Sequence, residues 1–203
     1  MEERIGKTVY FEKWGPQNTR RTLELAGNRA RELETHAWIV TTTYGDTGAL
    51  AVEMFPDLCT IVVTHPVGFK GPNTHRLKSE HVAAIDRGKG KILTGTHIFG
   101  GIGRAIRNKF KSYQIEEIIA FTYRTVCEGF KVCVEVAMMA ADAGLVRVGD
   151  PIVTVGGTLR GADTAVVLTP VNSEHFFDIK IHEILCKPYP GGVNQPVFTE
   201  LKI

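Results

Sequence analysis

The sequence predicts an α/β fold of three layers, with helices on both faces of a mainly parallel, partly mixed central sheet. The first observation is a strand, turn and helix pattern at 38–55, where the apolar run WIVT precedes a turn rich in hydroxyls and glycine. The second is a buried strand at 60–64 that ends in an irregular loop. Strands that alternate with helices in this way favour a parallel sheet. The third is a run of strands without intervening helices near the end of the chain, which predicts a mixed edge at 152–155, 164–168 and 179–186.

The remaining elements follow from periodicity and turn residues. Asn18 is a plausible N-cap for a helix whose apolar residues recur at helical spacing from Thr22 to Leu33. The segment 131–143 is apolar almost all round, which predicts a central helix buried on most sides. Strands are also predicted at 7–11 and 91–93, and helices at 77–87, after Gly103 and within 114–126.

Residues 1–187 are expected to form one domain, and residues 188–203 a C-terminal tail. Three prolines and two glycines from Pro188 onward predict that the tail packs over the surface or a neighbouring subunit, so we expect a homo-oligomer. The net charge of +2 is too small to indicate a nucleic-acid partner. No apolar stretch reaches the roughly 20 residues of a membrane span, and the opening MEERIGK is unlike a signal peptide.

The four cysteines lack CxxC spacing and lie within apolar runs, at positions 59, 127, 133 and 186. This pattern favours reduced core residues of a cytoplasmic protein over disulfides or a metal site. We therefore predict no metal site and a cytoplasmic location.

The turn after the first buried strand is the leading candidate for a binding site. Backbone N–H groups at the start of a helix lack internal partners and attract anions. The residues of this turn that we expect at the site are Thr42, Thr43, Tyr44, Gly45, Asp46 and Thr47. Their hydroxyl groups can donate to a phosphate, and Gly45 can adopt a positive φ. The alternative is ordinary capping, in which Asp46 or Thr47 satisfies the same N–H groups.

Ligands of parallel α/β sheets bind beyond the carboxyl ends of the strands, and two more loops follow strands there. In one of them, His65 can donate to a phosphate, Gly68 gives the loop freedom and Phe69 can face a flat ring. His97 follows the next strand with the same potential. The alternative is that these side chains serve only the loops and the core.

A glycine-rich segment late in the chain is the third candidate loop. Arg160 stands among Gly156, Gly157 and Gly161, which suits a guanidinium that folds over a phosphate. Asp163 can accept a hydrogen bond from a ribose or ribityl hydroxyl. The alternative is a hairpin-like connection in which Asp163 serves the turn.

Two weaker signals lie elsewhere. GGIGR departs from a dinucleotide fingerprint, because position 106 is Ile rather than Gly, although Arg104 and Arg107 share one side of a helix and can reach an anion. Glu135 and Asp142 are seven positions apart on one face of the apolar helix, where buried carboxylates can act as acid–base groups.

These motifs together resemble the C-terminal α/β domain of pyruvate kinase in small proteins that carry only this domain. The matching segments are TTTYGDTGALAVEMF (41–55), VVTHPVGF (62–69), KVCVEVAMMAADAG (131–144) and VGGTLRGADTAVVL (155–168). The resemblance implies that the turn with Thr42, Thr43, Gly45 and Thr47 cups a phosphate while the glycine-rich loop closes over it. Tyr44 and Asp46 depart from the small hydroxyls of a sugar bisphosphate cup.

The resemblance implies no pyruvate kinase activity, because that reaction takes place in a separate barrel for which 203 residues leave no room. We expect a phosphorylated small molecule or mononucleotide as ligand, in a sensing or regulatory role. Flavin mononucleotide (FMN) has the right parts, a phosphate and a flat ring. The alternatives are an enzyme, with or without a flavin, that uses His65, His97 or Glu135 for acid–base chemistry, and an assembly module without a working pocket.

Overall fold

The computed structural model describes Glu3 and residues 5–189. In this part of the chain the strands are β1 (Val9–Phe11), β2 (Trp38–Thr41), β3 (Thr60–Thr64), β4 (Lys91–Thr94), β5 (Ile152–Gly156), β6 (Thr164–Thr169) and β7 (Lys180–Pro188). The α-helices are α1 (Thr19–Glu32), α2 (Asp46–Met54), α3 (Ser79–Arg87), α4 (Ile102–Phe110), α5 (Ile115–Arg124) and α6 (Glu128–Asp142). Short 3-10 helices occupy Pro16–Asn18 and Ser173–Asp178.

The described strands form one sheet in the order β1-β7-β6-β5-β2-β3-β4. The six described strands other than β6 pair with one another in parallel, as β1/β7, β5/β2, β2/β3 and β3/β4. Strand β6 alone runs antiparallel, to both β5 and β7. The predicted mixed edge is therefore wrong in its position, because the antiparallel strand lies inside the sheet. The carboxyl ends of β2, β3, β4 and β5 meet at one edge.

Alternation along the strands divides the core into two layers. In β2, Trp38 and Val40 pack with Leu23 of α1 and Ala51 of α2, whereas Ile39 packs against α6 on the other face. All of these apolar side chains are fully buried. Leu23, Ile39 and Val40 each contribute about 1.5–3 kcal/mol by burial. The predicted three-layer α/β/α fold is confirmed.

Helix α6 is the central helix that the apolar segment predicts. Except for Val132, its residues are buried from Gly129 to Ala141. The close approach of α6 to the sheet depends on Gly156, where a Cβ would fall 2.4 Å from the Gly129 carbonyl oxygen. The first turn of α6 is thereby held at the end of β5, at the edge where the parallel strands end.

Two local expectations are corrected. Asn18 precedes α1, but its side chain donates to the Lys13 carbonyl at 2.6 Å and makes no capping hydrogen bond. Cys59 is exposed, whereas the other three cysteines are buried; all four are free thiols. The loop before β3 places Cys59 at the surface, although a buried strand begins at the next residue.

The predicted tail, 188–203, lies outside the described residues except for its first two positions. Pro188 ends β7, and the Tyr189 N–H donates to the Phe11 carbonyl at 2.9 Å. Across Glu3 and residues 5–189, no helix has both the length and the apolar character needed to cross a membrane.

Candidate functional site

A cavity of about 380 Å³ lies at the carboxyl ends of the parallel strands. Thr41 and Thr64, the last residues of β2 and β3, form part of its wall, and Gly157 follows β5. Helix α6 closes the other side with Lys131 and Glu135. The fold therefore brings the turn before α2, the loops after β3 and β4, the glycine-rich loop and α6 to one cavity.

The turn before α2 presents hydroxyl groups to this cavity. Gly45 has a φ of +99° and precedes the helix, which no side chain caps. Its N–H donates to the Thr42 hydroxyl at 2.9 Å, so that oxygen is used within the turn. Thr43 and Thr47 also line the cavity, and their hydroxyls make no hydrogen bond to other described residues. These two hydroxyls and the start of α2 are available to a ligand.

Tyr44 and Asp46 belong to the same turn but do not line the cavity. The Asp46 carboxylate accepts a hydrogen bond from Arg160 at 3.0 Å. The Tyr44 ring lies between two guanidinium groups, with the Cζ of Arg76 4.6 Å and that of Arg160 5.0 Å from its centroid. Arg76 also donates to the Tyr44 hydroxyl. The carboxylate that would repel a phosphate is thus turned away and paired.

The second wall is aromatic. The rings of His65 and Phe69 stack with centroids 4.3 Å apart, and His97 lies 5.3 Å from His65. The Cζ of Arg104 lies 5.3 Å from the centre of the Phe69 ring. All four residues line the cavity, so it joins flat rings to positive charge.

Burial favours the neutral form of both histidines. Burial, followed by His97 and Arg76, lowers the pKa of His65 to about 4, although Glu135 acts in the opposite direction. Burial also lowers the pKa of His97, with Glu135 again opposing and Lys131 and Arg104 assisting. The Nδ1 atom of His65 is buried without a hydrogen-bond partner among the described residues. A neutral ring tolerates this position better than an imidazolium would.

The floor of the cavity contains a buried ion pair on adjacent turns of α6. Lys131 Nζ lies 2.6 Å from Glu135 Oε2, and the two residues are 5% and 2% exposed. Glu135 Oε1 accepts the Phe99 N–H at 2.9 Å, and its Oε2 lies 3.9 Å from His97 Nδ1. Burial alone would raise the pKa of Glu135, but Lys131, His97 and the hydrogen bonds outweigh it and lower the pKa.

Positive charge exceeds negative charge around the cavity. Its described lining has the cations Lys70, Arg76, Arg104, Arg124 and Lys131, and the carboxylates Glu128 and Glu135. Each carboxylate lies against a cation, Glu128 with Arg124 at 2.5 Å and Glu135 with Lys131 at 2.6 Å. The remaining three cations give the cavity a net attraction for anions.

Two residues of the glycine-rich loop, Asp163 and Arg160, are predicted to contact a ligand but do not line the cavity. Asp163 is fully buried, and its carboxylate accepts from the Gly15 and Thr158 N–H groups and from the Thr164 hydroxyl. Burial raises its pKa, although these hydrogen bonds oppose the rise. Asp163 thus stabilises the loop, as the alternative holds, and does not reach the cavity. Arg160 points to Asp46, also outside the cavity lining.

The glycines of this loop serve close packing. A Cβ on Gly157 would fall 2.2 Å from the Gly161 carbonyl oxygen, and one on Gly161 would fall 2.5 Å from Pro16 and Thr19 atoms. The cavity lining includes these predicted residues: Thr42, Thr43, Thr47, His65, Phe69, His97, Gly157 and Gly161. It does not include Tyr44, Gly45, Asp46, Gly68, Gly156, Arg160 or Asp163.

Several charged residues of the cavity lie outside the predicted set. Arg76 and Lys70 come from the irregular loop after β3, and Lys131 from the apolar helix. The sequence signal for Lys131 is its spacing of four from Glu135, which places both on one face of α6. Arg107, in contrast, pairs with Glu117 at 2.6 Å and does not line the cavity.

Asp142 and possible metal ligands lie apart from this arrangement. Asp142 accepts from the Asn172 side chain and the Ser173 N–H, away from Glu135 and the cavity. Within the described part of the chain, no group of three or more His, Cys, Asp or Glu side chains is placed to hold a metal ion.

The fold and the cavity define an α/β/α domain with a cationic, hydroxyl-lined pocket at the carboxyl ends of its parallel strands. The family model of the pyruvate kinase alpha/beta domain matches residues 20–168, a range that contains every residue named in the cavity. The chain belongs to this family, and the resemblance predicted from the sequence is confirmed.

Proposed function

We propose that this protein binds a phosphorylated small molecule or mononucleotide in the cavity at the strand ends. The observation that carries the proposal is the turn before α2, where the Thr43 and Thr47 hydroxyls have no partner in the described chain and face a cavity with excess positive charge. Helix N-termini and hydroxyl groups favour phosphate oxygens, and nearby guanidinium groups add charge-assisted hydrogen bonds.

In the proposed complex the phosphate lies at the start of α2. Thr43 and Thr47 donate to its oxygens, and Arg76, already in contact with Tyr44 of the same turn, contributes charge. The pairing of Asp46 with Arg160 at 3.0 Å removes the main electrostatic objection to an anion here.

The rest of the ligand extends toward the aromatic wall. Phe69 and the two histidines suit a flat ring, so FMN is one candidate ligand, with its phosphate at the turn and its ring toward His65 and His97. A sensing or regulatory role without pyruvate kinase activity is proposed on the family resemblance.

Titration of the purified chain with inorganic phosphate, sugar phosphates and mononucleotides, including FMN, tests the proposal. We expect saturable binding of at least one phosphorylated compound at or below millimolar concentration, and no binding of the matching dephosphorylated compound. Absorbance near 450 nm in freshly purified protein would support a flavin. No binding by any member of the series would contradict the proposal.

A second candidate function is catalysis in the same cavity. The observation that favours it is the buried pair Lys131–Glu135 beside the neutral ring of His97. A buried ion pair costs several kcal/mol of desolvation. A glutamine at position 135 would accept the Phe99 N–H equally well, so this hydrogen bond does not explain why the residue is charged. Acid–base chemistry on the bound ligand supplies a reason for the charges. Exchange of ligand C–H for deuterium in D₂O, absent in His97→Gln, would support this candidate, with or without a flavin.

A further inference from the structure

The described lining of the cavity contains three cations without a carboxylate partner. This cationic cluster consists of Lys70, Arg76 and Arg104. Among the described residues none of the three makes a salt bridge, whereas Arg124 and Lys131 are each paired with a glutamate. The cluster is therefore the source of the net positive charge in the cavity.

The cluster extends from the threonine turn to the aromatic wall. Arg76 stands at the turn, with its Cζ 4.6 Å from the centre of the Tyr44 ring. At the other end, the Lys70 Nζ and the Arg104 Cζ lie 5.7 Å and 5.3 Å from the centre of the Phe69 ring. A single phosphate at the turn is close to Arg76 and leaves the two charges around Phe69 without a counterion.

We infer that the ligand carries a diphosphate group, with one phosphoryl group at the threonine turn and the second beside Lys70 and Arg104. This inference rests on the proposed function, because it names the class of ligand for the same cavity. A phosphate monoester carries a charge of about −1.5 to −2 at neutral pH. A second phosphoryl group adds negative charge, so that the total charge of the ligand comes close to balancing the three uncompensated cations.

The electrostatics of the neighbouring histidine support this arrangement. Arg76 and Arg104, from the two ends of the cluster, both act on His65 and lower its pKa. Positive charge from both ends of the cluster therefore reaches the same part of the cavity. Two sources share the required chemistry, inorganic pyrophosphate and a nucleoside diphosphate.

Calorimetric titration of the full chain, at fixed ionic strength and without divalent cations, separates phosphoryl number from the rest of the ligand. The probes are two matched pairs, phosphate with pyrophosphate and AMP with ADP. We expect the diphosphate of at least one pair to bind about ten-fold or more tightly than its partner, since each charge-assisted hydrogen bond is worth that factor or more. A tighter complex with ADP than with pyrophosphate would identify the nucleoside diphosphate as the source, and the reverse would identify pyrophosphate.

A charge-matched pair of double variants tests the location. Lys70→Gln/Arg104→Gln should lower the diphosphate to monophosphate affinity ratio to about two or less, because the second phosphoryl group loses both partners. Lys109→Gln/Lys111→Gln removes two charges from residues outside the cavity lining and should leave the ratio unchanged.

Three results would overturn the inference. Equal affinities within both ligand pairs, with monophosphates still bound, would exclude a diphosphate and leave the proposed function intact. An equal fall of the ratio in both double variants would show general charge attraction instead of a located site. Failure of all four probes to bind would overturn the inference, and failure of the sugar phosphates and FMN as well would also contradict the proposed function.

Discussion

Arg160 and Asp46 form an ion pair at 3.0 Å that joins the glycine-rich loop to the turn before α2. Both side chains are more than a third exposed, at 60% and 41%. An exposed pair of this kind contributes about 0–1 kcal/mol to stability. We expect its effect on binding to exceed its effect on folding, because it neutralises the Asp46 carboxylate beside the proposed phosphate site.

Arg160→Ala should therefore weaken phosphate binding through Asp46. We expect a loss of about three- to ten-fold in affinity, since a bare carboxylate near the site repels the anion, and little change in the free energy of unfolding. In the Arg160→Ala background, Asp46→Asn should restore the affinity. If Arg160 itself bound the phosphate, the second substitution would not rescue binding, and calorimetric titration of the four proteins distinguishes the two cases.

Gly45→Ala should destabilise the turn for two separable reasons. The residue has a φ of +99°, and a Cβ would lie 2.5 Å from the Cβ of His81. We expect a loss of about 2–4 kcal/mol in denaturant unfolding, from backbone strain and overpacking together. Gly144→Ala is the control, because its φ of +68° is similar but nothing lies within 4 Å. Equal losses in the two variants would show that the contact with His81 is unimportant.

Lys131→Met should expose the cost of an unpaired buried carboxylate. With Glu135 only 2% exposed, we expect a loss of about 3–5 kcal/mol in the free energy of unfolding at neutral pH. Adding Glu135→Gln removes the charge but keeps an acceptor for the Phe99 N–H, so the double variant should recover most of this loss. If Lys131→Met were as stable as the double variant or more stable, this explanation would be contradicted.

The neutral histidine predicts a specific pH dependence of stability. The pKa of His65 is about 4 in the folded protein against 6.5 for an ordinary histidine, so the unfolded chain binds more protons between these values. The stabilising contribution is present above pH 6.5 and is lost as the pH falls toward 4. Denaturant unfolding across this range should show a smaller fall for His65→Phe than for the wild type. A fall as large in His65→Phe as in the wild type would contradict this assignment.

Much of the fold could be predicted because apolar and β-branched runs in the sequence indicate which segments are buried. Ile39 and Val40 lie in a β-branched run and form a buried strand, and the predicted apolar segment 131–143 covers most of the buried part of α6, which extends from Gly129 to Ala141. The position of the antiparallel strand could not be predicted, because strand order depends on pairing between distant segments. Nothing local in β6 places it between β5 and β7.

The candidate site was predictable where strand ends determine it. Thr43 and His65 follow buried strands, and the rule for parallel sheets brings them to one edge. The direction of a side chain within a loop has no such rule. Arg160 and Asp163 therefore look like ligand contacts in the sequence, whereas the structure directs one to Asp46 and the other to backbone N–H groups. Arg76 was missed because its loop is irregular.

Phosphate titration of a variant that lacks the two available hydroxyls of the turn before α2 tests the central claim most directly. Thr43→Val/Thr47→Val removes the two available hydroxyls while keeping the shape of both side chains, and Thr122→Val, on the exposed face of α5, serves as the control. We predict saturable phosphate binding by the wild type and the control, and a loss of at least about ten-fold in the double variant. Unchanged phosphate affinity in a folded double variant would contradict the assignment of this turn as the phosphate site.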